Sequence, residues 1–266
     1  KNISRRFASE KIQGFSFMNL VRRLLRIGGQ VTEPYYQTWI YHRSGSGAMY
    51  LALADEIERM GGEIILGANV QHLSLSDRRI TQVSYERAGV TEELTCGKVV
   101  NTIQLSRFID FFGNTVPFIV RHHANKLSYI SLILVYLEFS VDKIGDDNWF
   151  YLLDNEFKFN RVTEQKNLSQ ATMEPDKTVL SFELTCREGD GMWGMPNEAL
   201  FELAKKDCEN IPLLKNSLNK ISDFKVMRVT NAYEVYFRNF EHHAEIALGY
   251  VQSIENAVSI GRRGLF

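Results

Sequence analysis

Residues 40–66 read IYHRSGSGAMYLALADEIERMGGEIIL, with Gly45 and Gly47 set immediately before a helical pattern. An apolar run, a glycine pair and a helix is the order that wraps backbone N–H groups around a dinucleotide's pyrophosphate. That chemistry needs GxGxxG: the first glycine makes the turn, the second admits the phosphate, and the third lets helix and strand pack closely. Here the third position is Tyr50, whose ring would hold the helix away from the strand. No acidic residue ends a second strand at the usual distance. The pair therefore reads as positive φ and close approach at a helix start, not as a phosphate cradle.

Other chemistry-bearing residues are equally restrained. His122-His123 and His242-His243 are adjacent pairs, whose rings would point to opposite faces of a strand. They lack the i,i+4 spacing of a metal pair, so they read as surface histidines and no metal site is expected. Asp146-Asp147 and Glu92-Glu93 are neighbours in expected loops or exposed strands, and read as solvated. Cys96, Cys186 and Cys208 lie far apart with no CxxC, which suggests neither zinc nor a disulfide framework. No Ser/His/Asp or Cys/His nucleophile set follows from spacing, and no catalytic residue is assigned.

The elements that must position these residues come from a chain of 266 residues, 44% hydrophobic and 24% charged. That is the profile of a globular protein with a real core. A net charge of −1 supplies no bulk field for nucleic acid or an anionic membrane. No apolar run of 18 residues stands in the sequence, and the sparse, odd cysteine count fits a cytoplasmic location. The sequons at Asn2 and Asn167 read as accidental without a secretory signal.

Periodicity predicts a helix over 15–27, on which Phe17, Leu20, Val21, Leu24 and Leu25 share a stripe, and a clearer one over 48–60. In the second, Leu51, Ala54, Ile57 and Met60 should form the buried face, and Gly61-Gly62 the stop. A short strand is expected over 63–66. A β-meander should follow over 70–75, 80–85 and 92–95, turning at Ser76-Asp77-Arg78 and Ala88-Gly89. Further strands are expected over 98–102, 127–139, 149–153, 157–163, 178–185 and 224–231. Helices are expected over 198–208, more weakly over 212–219, and over 244–259. Strands in series, without a repeated βαβ rhythm, point to an α/β chain of α+β character with a largely antiparallel sheet and flanking helices.

Read in order, these segments resemble the two-domain flavoproteins that include protoporphyrinogen oxidase, phytoene desaturase and UDP-galactopyranose mutase. The order YHRSGSGAMYLALADEIERMGGEIIL, a meander, then KVVNT matches that family's segment of a glycine turn, a helix, a strand, a meander and a strand ending in T-x-P. Asp146 to Tyr151, Phe159-Asn160-Arg161, Asn167-Leu168-Ser169 and Phe182-Glu183 follow its "DNW-x-Y…GR…N-x-S…E-Y" order. Residues 228–236, RVTNAYEVY, resemble "R-x-x-x-AYPVY", and residues 260–266, IGRRGLF, resemble "GR-x-G-x-F". Departures are Gln104 and Glu234 where the family has proline, and His42 and Ser44 in the glycine turn.

The resemblance implies an FAD-dependent oxidoreductase-like protein of the amine-oxidase superfamily, nearest the UDP-galactopyranose-mutase-related branch of polysaccharide pathways. It implies a partial Rossmann-like FAD domain interleaved with a substrate-binding domain. The expected divisions are a helical cap segment over 1–40, FAD-domain residues over 41–112, a substrate domain over 113–250, and a returning FAD segment over 251–266. Val70 and Thr102 would lie on the adenosine side, and Gly261, Arg262 and Gly264 at the flavin or its phosphates. Arg161, Tyr233 and Tyr236 would line the cavity for a small-molecule substrate, such as a nucleotide-sugar. The chain is expected to be a fragment without the family's N-terminal GxGxxG region, so FAD is expected for the parent but not for this chain alone. Whether the chemistry is redox or a redox-neutral rearrangement stays open, as does a non-catalytic binding or scaffold role.

Overall fold

The structure, a computed structural model, describes residues 40–266; the helix expected over 15–27 lies outside them. In chain order the helices are α1 (Gly47–Arg59), α2 (Leu105–Asp110), α3 (Phe118–Ala124), α4 (Gln165–Leu168), α5 (Asn197–Asn210), α6 (Phe240–Gln252) and α7 (Gly261–Leu265). The strands are β1 (Asn69–Ser76), β2 (Arg79–Arg87), β3 (Val90–Thr95), β4 (Val99–Asn101), β5 (Tyr129–Phe139), β6 (Trp149–Tyr151), β7 (Arg161–Glu164), β8 (Thr178–Cys186), β9 (Ile221–Glu234) and β10 (Ala257–Ser259). Two compact units emerge: residues 65–128 with 234–266, and residues 40–64 with 129–233. They change over at other points than the expected boundaries after 112 and 250.

In the first unit, β1, β2 and β3 form the meander. Ser76 pairs with Arg79 and Arg87 with Val90, so each hairpin has a two-residue loop. Asp77 and Arg78, then Ala88 and Gly89, all take positive φ, the primed turn whose twist matches the flanking strands. β4 pairs in parallel with β10. The helix expected over 244–259 therefore stops at Gln252, and its last residues become a strand. Asn256 accounts for the change: its buried amide accepts from Ile80 N–H (2.8 Å) and donates to the Ile80 (2.8 Å) and Gly97 (3.1 Å) carbonyls. Leu105, Ile109 and Phe112 pack with Ala247 and Val251 as this unit's core.

The second unit holds a five-stranded sheet in the order β6-β7-β8-β5-β9. β5 and β8 run antiparallel from Ser131↔Cys186 to Phe139↔Thr178. Inward residues of β5 (Ile133, Val135, Leu137, Phe139) pack with Phe182 of β8 and with Leu200, Ala204 and Cys208 of α5. The alternating burial along β5 reflects a strand covered on one face.

Two expectations fail here. Residues 63–66 form no strand, because a strand exists only where a ladder partner satisfies its N–H and C=O groups. The apolar face of α1 is not buried among the described residues: Leu51 is 68% and Met60 75% exposed.

Candidate functional site

The residues assigned to the cofactor converge in part. β4 and β10 end side by side, and Ile260 N–H donates to the Asn101 carbonyl (2.9 Å). The Asn101 amide donates to Ser259 Oγ (2.7 Å), which donates to the Gly264 carbonyl (2.6 Å). A side chain at Gly264 would meet Ser259 Oγ at 2.8 Å and the Asn101 carbonyl at 3.0 Å. Gly264 is thus a packing glycine, and the turn over 260–264 is fixed to both strand ends. Gly261 differs: it takes φ +74, and nothing lies within 4 Å of where a side chain would project. Sequence reasoning passed over Asn101 and Ser259, whose signal was only a polar residue closing each short apolar strand.

Arg262 follows with its side chain 56% exposed, and its Nε lies 3.4 Å from Glu234 Oε2. Glu234, the last residue of β9, already belongs to the first unit, where Val235 N–H is anchored on the Ser128 carbonyl (2.9 Å). The Glu234 side chain is only 2% exposed, and its Oε1 is buried with no hydrogen-bond partner among the described residues. A buried, half-satisfied carboxylate is costly. Tyr236 belongs to the same unit, with its ring 4.8 Å from Phe240 and 6.0 Å from Phe266. Val70 is half-buried against the core, as an ordinary strand valine would be, and Thr102 is exposed just beyond β4.

The remaining assigned residues lie in the other unit. Arg161 of β7 stands opposite Glu183 of β8, and its Nε and Nη2 donate to Glu183 Oε1 at 2.9 and 2.5 Å. Burial is the largest single influence and works against the Arg161 charge, but the hydrogen bond and the charge of Glu183, together with Tyr151, outweigh it and raise the guanidinium pKa. The pair is neutral as it stands, so a bare anion gains little from it. Tyr233 is 36% exposed.

Several shared motifs prove to be joints. Glu164, nearly buried, accepts from Ile144 N–H (2.9 Å), Gly145 N–H (2.9 Å) and Thr178 Oγ1 (2.8 Å). Asn167 donates to the Gly145 (3.0 Å) and Asp147 (2.9 Å) carbonyls, and Ser169 Oγ donates to the Arg43 carbonyl. A cavity of about 330 Å³ opens beside Lys166 and Asn167. Lys166 spends its donors on Asp142, the Glu174 carbonyl and the Pro175 carbonyl.

A GxGxxG string does occur, GDGMWG over 189–194, between β8 and α5. The loop already holds an anion of its own: the Asp190 carboxylate accepts from Arg187 N–H and Trp193 N–H, both at 2.8 Å. Those bonds lower the Asp190 pKa, and the loop is closed on its own anion.

The histidines correct an expectation. They sit on helices, not strands, and His123 is buried at 8% exposure with Nδ1 2.9 Å from His243 Nδ1. Among the described residues, no group of three or more His, Cys, Asp or Glu could hold a metal ion. No helix among them is long and apolar enough to cross a membrane.

By sequence, no protein-family model and no curated protein matches the chain. By structure, it is similar to reduced UDP-galactopyranose mutase, with a TM-score of 0.69 and 16% identity, over 84% of this chain and 46% of that one. It is also similar to a protein assigned as a protoporphyrinogen oxidase from Exiguobacterium sp. 255-15, with a TM-score of 0.60 and 14% identity, over 81% and 45%. An oxidoreductase from Methanosarcina mazei matches with a TM-score of 0.57 and 11% identity, over 82% and 49%. The chain shares the fold of these solved structures, and spans about half the length of each.

Proposed function

We propose that this chain carries the substrate-binding sheet and the returning cofactor segment of an FAD-dependent enzyme of the amine-oxidase superfamily. The observation that carries the reading is the turn over 260–264. It is fixed to the ends of β4 and β10, leaves the backbone at Gly261 uncovered, and presents an exposed guanidinium at Arg262. Bare backbone beside an arginine suits a cofactor carrying phosphates. When bound, the flavin supplies the hydride and electron chemistry. In this reading Gly261, Arg262 and Gly264 border the cofactor, Val70 and Thr102 serve its adenosine side, and Arg161, Tyr233 and Tyr236 face the substrate.

The substrate class that fits is a polar small molecule with both hydroxyl and anionic groups, such as a nucleotide-sugar. Arg161 with Glu183 offers a donor and an acceptor side by side, which reads such a molecule better than a bare anion. Oxidation and redox-neutral rearrangement both remain compatible with these residues. The rival reading, a binding module that has given up its cofactor, draws support from the same neutral pairing.

The test is Arg262→Ala in the intact gene product, with flavin content, FAD affinity and turnover measured. A loss of affinity of about tenfold, roughly 1.4 kcal/mol, is expected. Unchanged flavin content and rate would remove Arg262 from the site. For residues 1–266 alone, calorimetry should show no micromolar FAD binding. A yellow, stoichiometric flavoprotein would sink that expectation.

A further inference from the structure

We propose that the cavity beside Lys166 binds a small organic carboxylate, whose anion takes the place that Asp142 holds in the free protein. The inference concerns the sheet unit alone and is independent of the flavoenzyme reading. At about 330 Å³, the cavity has room for a small ligand. Lys143, Lys166 and Asn167 line it with polar groups, and Met173 and Pro175 with apolar ones. Asp142 lines it too, and is the carboxylate to be replaced.

A buried ammonium group is costly unless a counter-charge stands beside it. Lys166 Nζ donates to Asp142 Oδ1 (2.5 Å) and to the Glu174 (3.1 Å) and Pro175 (2.6 Å) carbonyls. The two carbonyls are backbone and stay in place. Asp142 is different: its side chain is 78% exposed, against 10% for Lys166. So solvated a carboxylate gains little from its ion pair and returns to water at small cost. Exchanging one carboxylate for another keeps the Lys166 charge neutralised throughout, which simple loss of Asp142 would not. Lys143 repeats the arrangement, since its partner Asp146 (2.6 Å) is fully exposed. The surroundings select the anion. The carbonyl oxygens already on Nζ repel a dianion more than a monoanion, and the lining residues include lysines but no guanidinium fork to match a phosphate. Met173 and Pro175 offer apolar surface that a short aliphatic body can cover. The neighbouring Glu174 carboxylate is paired with Lys177 (3.3 Å), which leaves Asp142 as the internal competitor.

The experiment uses butyrate as the probe, with butyramide as its neutral counterpart and inorganic phosphate as the competing anion. Each is titrated into the whole chain at fixed pH and ionic strength, and the backbone amides are followed by ¹⁵N NMR. Millimolar butyrate should shift the Lys143, Lys166 and Asn167 amides saturably. Butyramide and phosphate should bind about tenfold more weakly or not at all. Asp142→Asn removes the internal competitor and should tighten butyrate binding several-fold, whereas Lys166→Gln should abolish it. Should Lys166→Gln fail to fold, Asp142→Asn decides alone, because it alters a solvated side chain. Butyrate binding that weakens or stays the same in Asp142→Asn would overturn the proposal. Equal binding of butyramide or of phosphate, or no saturable shift with butyrate, would overturn it as well.

Discussion

His123 Nδ1 and His243 Nδ1 share a 2.9 Å hydrogen bond across α3 and α6. Only one of two facing Nδ1 atoms can carry the proton, so the contact requires at least one neutral ring. His122 and His242 press on the same pair, with ring centroids 5.4 and 5.1 Å from His123, and Lys126 adds positive charge near His243.

Acid should loosen this helix pair. Burial first, then the neighbouring histidines, lowers the pKa of both His123 and His243 below the ordinary 6.5. The unfolded chain therefore binds more protons than the folded one as pH falls below that value. Stability is present above about 6.5 and is lost as pH drops through the lowered folded values. Thermal melts between about pH 7.5 and about pH 5.5, a window around the ordinary imidazole pKa, should show Tm falling by several degrees. His243→Gln should flatten the slope, and an equal slope in that variant would place the acid sensitivity elsewhere.

Glu164 should prove to be the joint of the loop over 142–148. Glu164→Ala strands two backbone N–H groups, on Ile144 and Gly145, and the Thr178 hydroxyl. The expected cost is about 2–3 kcal/mol, with faster amide exchange at Ile144 and Gly145. Glu164→Gln keeps one acceptor oxygen and should cost less. Unchanged exchange at both amides would refute the assignment.

The glycines of the last turn should separate by mechanism. Gly264→Ala forces a methyl group to 2.8 Å from Ser259 Oγ and 3.0 Å from the Asn101 carbonyl, an overpacking cost of about 1–3 kcal/mol. Gly261→Ala meets open space and suffers only from its φ of +74, worth about 1 kcal/mol. Denaturant melts of the two variants check the order, and a larger loss at Gly261 would contradict it.

Cys208 should be silent to thiol reagents while the sheet unit is folded. Burial first, then Asp207, pushes its thiol up to about 12, leaving almost no thiolate at neutral pH. Cys96, only half-buried, should be modified first. Modification of Cys208 should follow the unfolding rate, and fast labelling under native conditions would exclude the packing described for α5.

Much of the fold was legible wherever local rules suffice. The meander could be read because β1 to β3 alternate and their two-residue turns carry residues tolerant of positive φ. β5, β8 and α5 could be read because their apolar period matches the face they bury. α2 and α3 were missed, since helices of six and seven residues are too short to show a period and stand on tertiary packing. The end of α6 was missed because a single buried amide, Asn256, replaces helix with strand through partners far away in sequence.

The sequence by itself determined the meander, the long strands of the sheet with the helix beside them, the superfamily resemblance and the glycine–arginine turn near the end of the chain. These follow from residue types and short-range spacing, which the chain carries wherever it goes. The tertiary structure decided what each charge faces. Arg161 is neutralised by Glu183 from the neighbouring strand, Glu234 is buried against Arg262, and Asp190 fills the one loop with glycines at the dinucleotide spacing. His123 and His243, 120 residues apart, become one titrating unit. Electrostatic interaction depends on separation in space and on local burial, and neither is written in the separation along the chain.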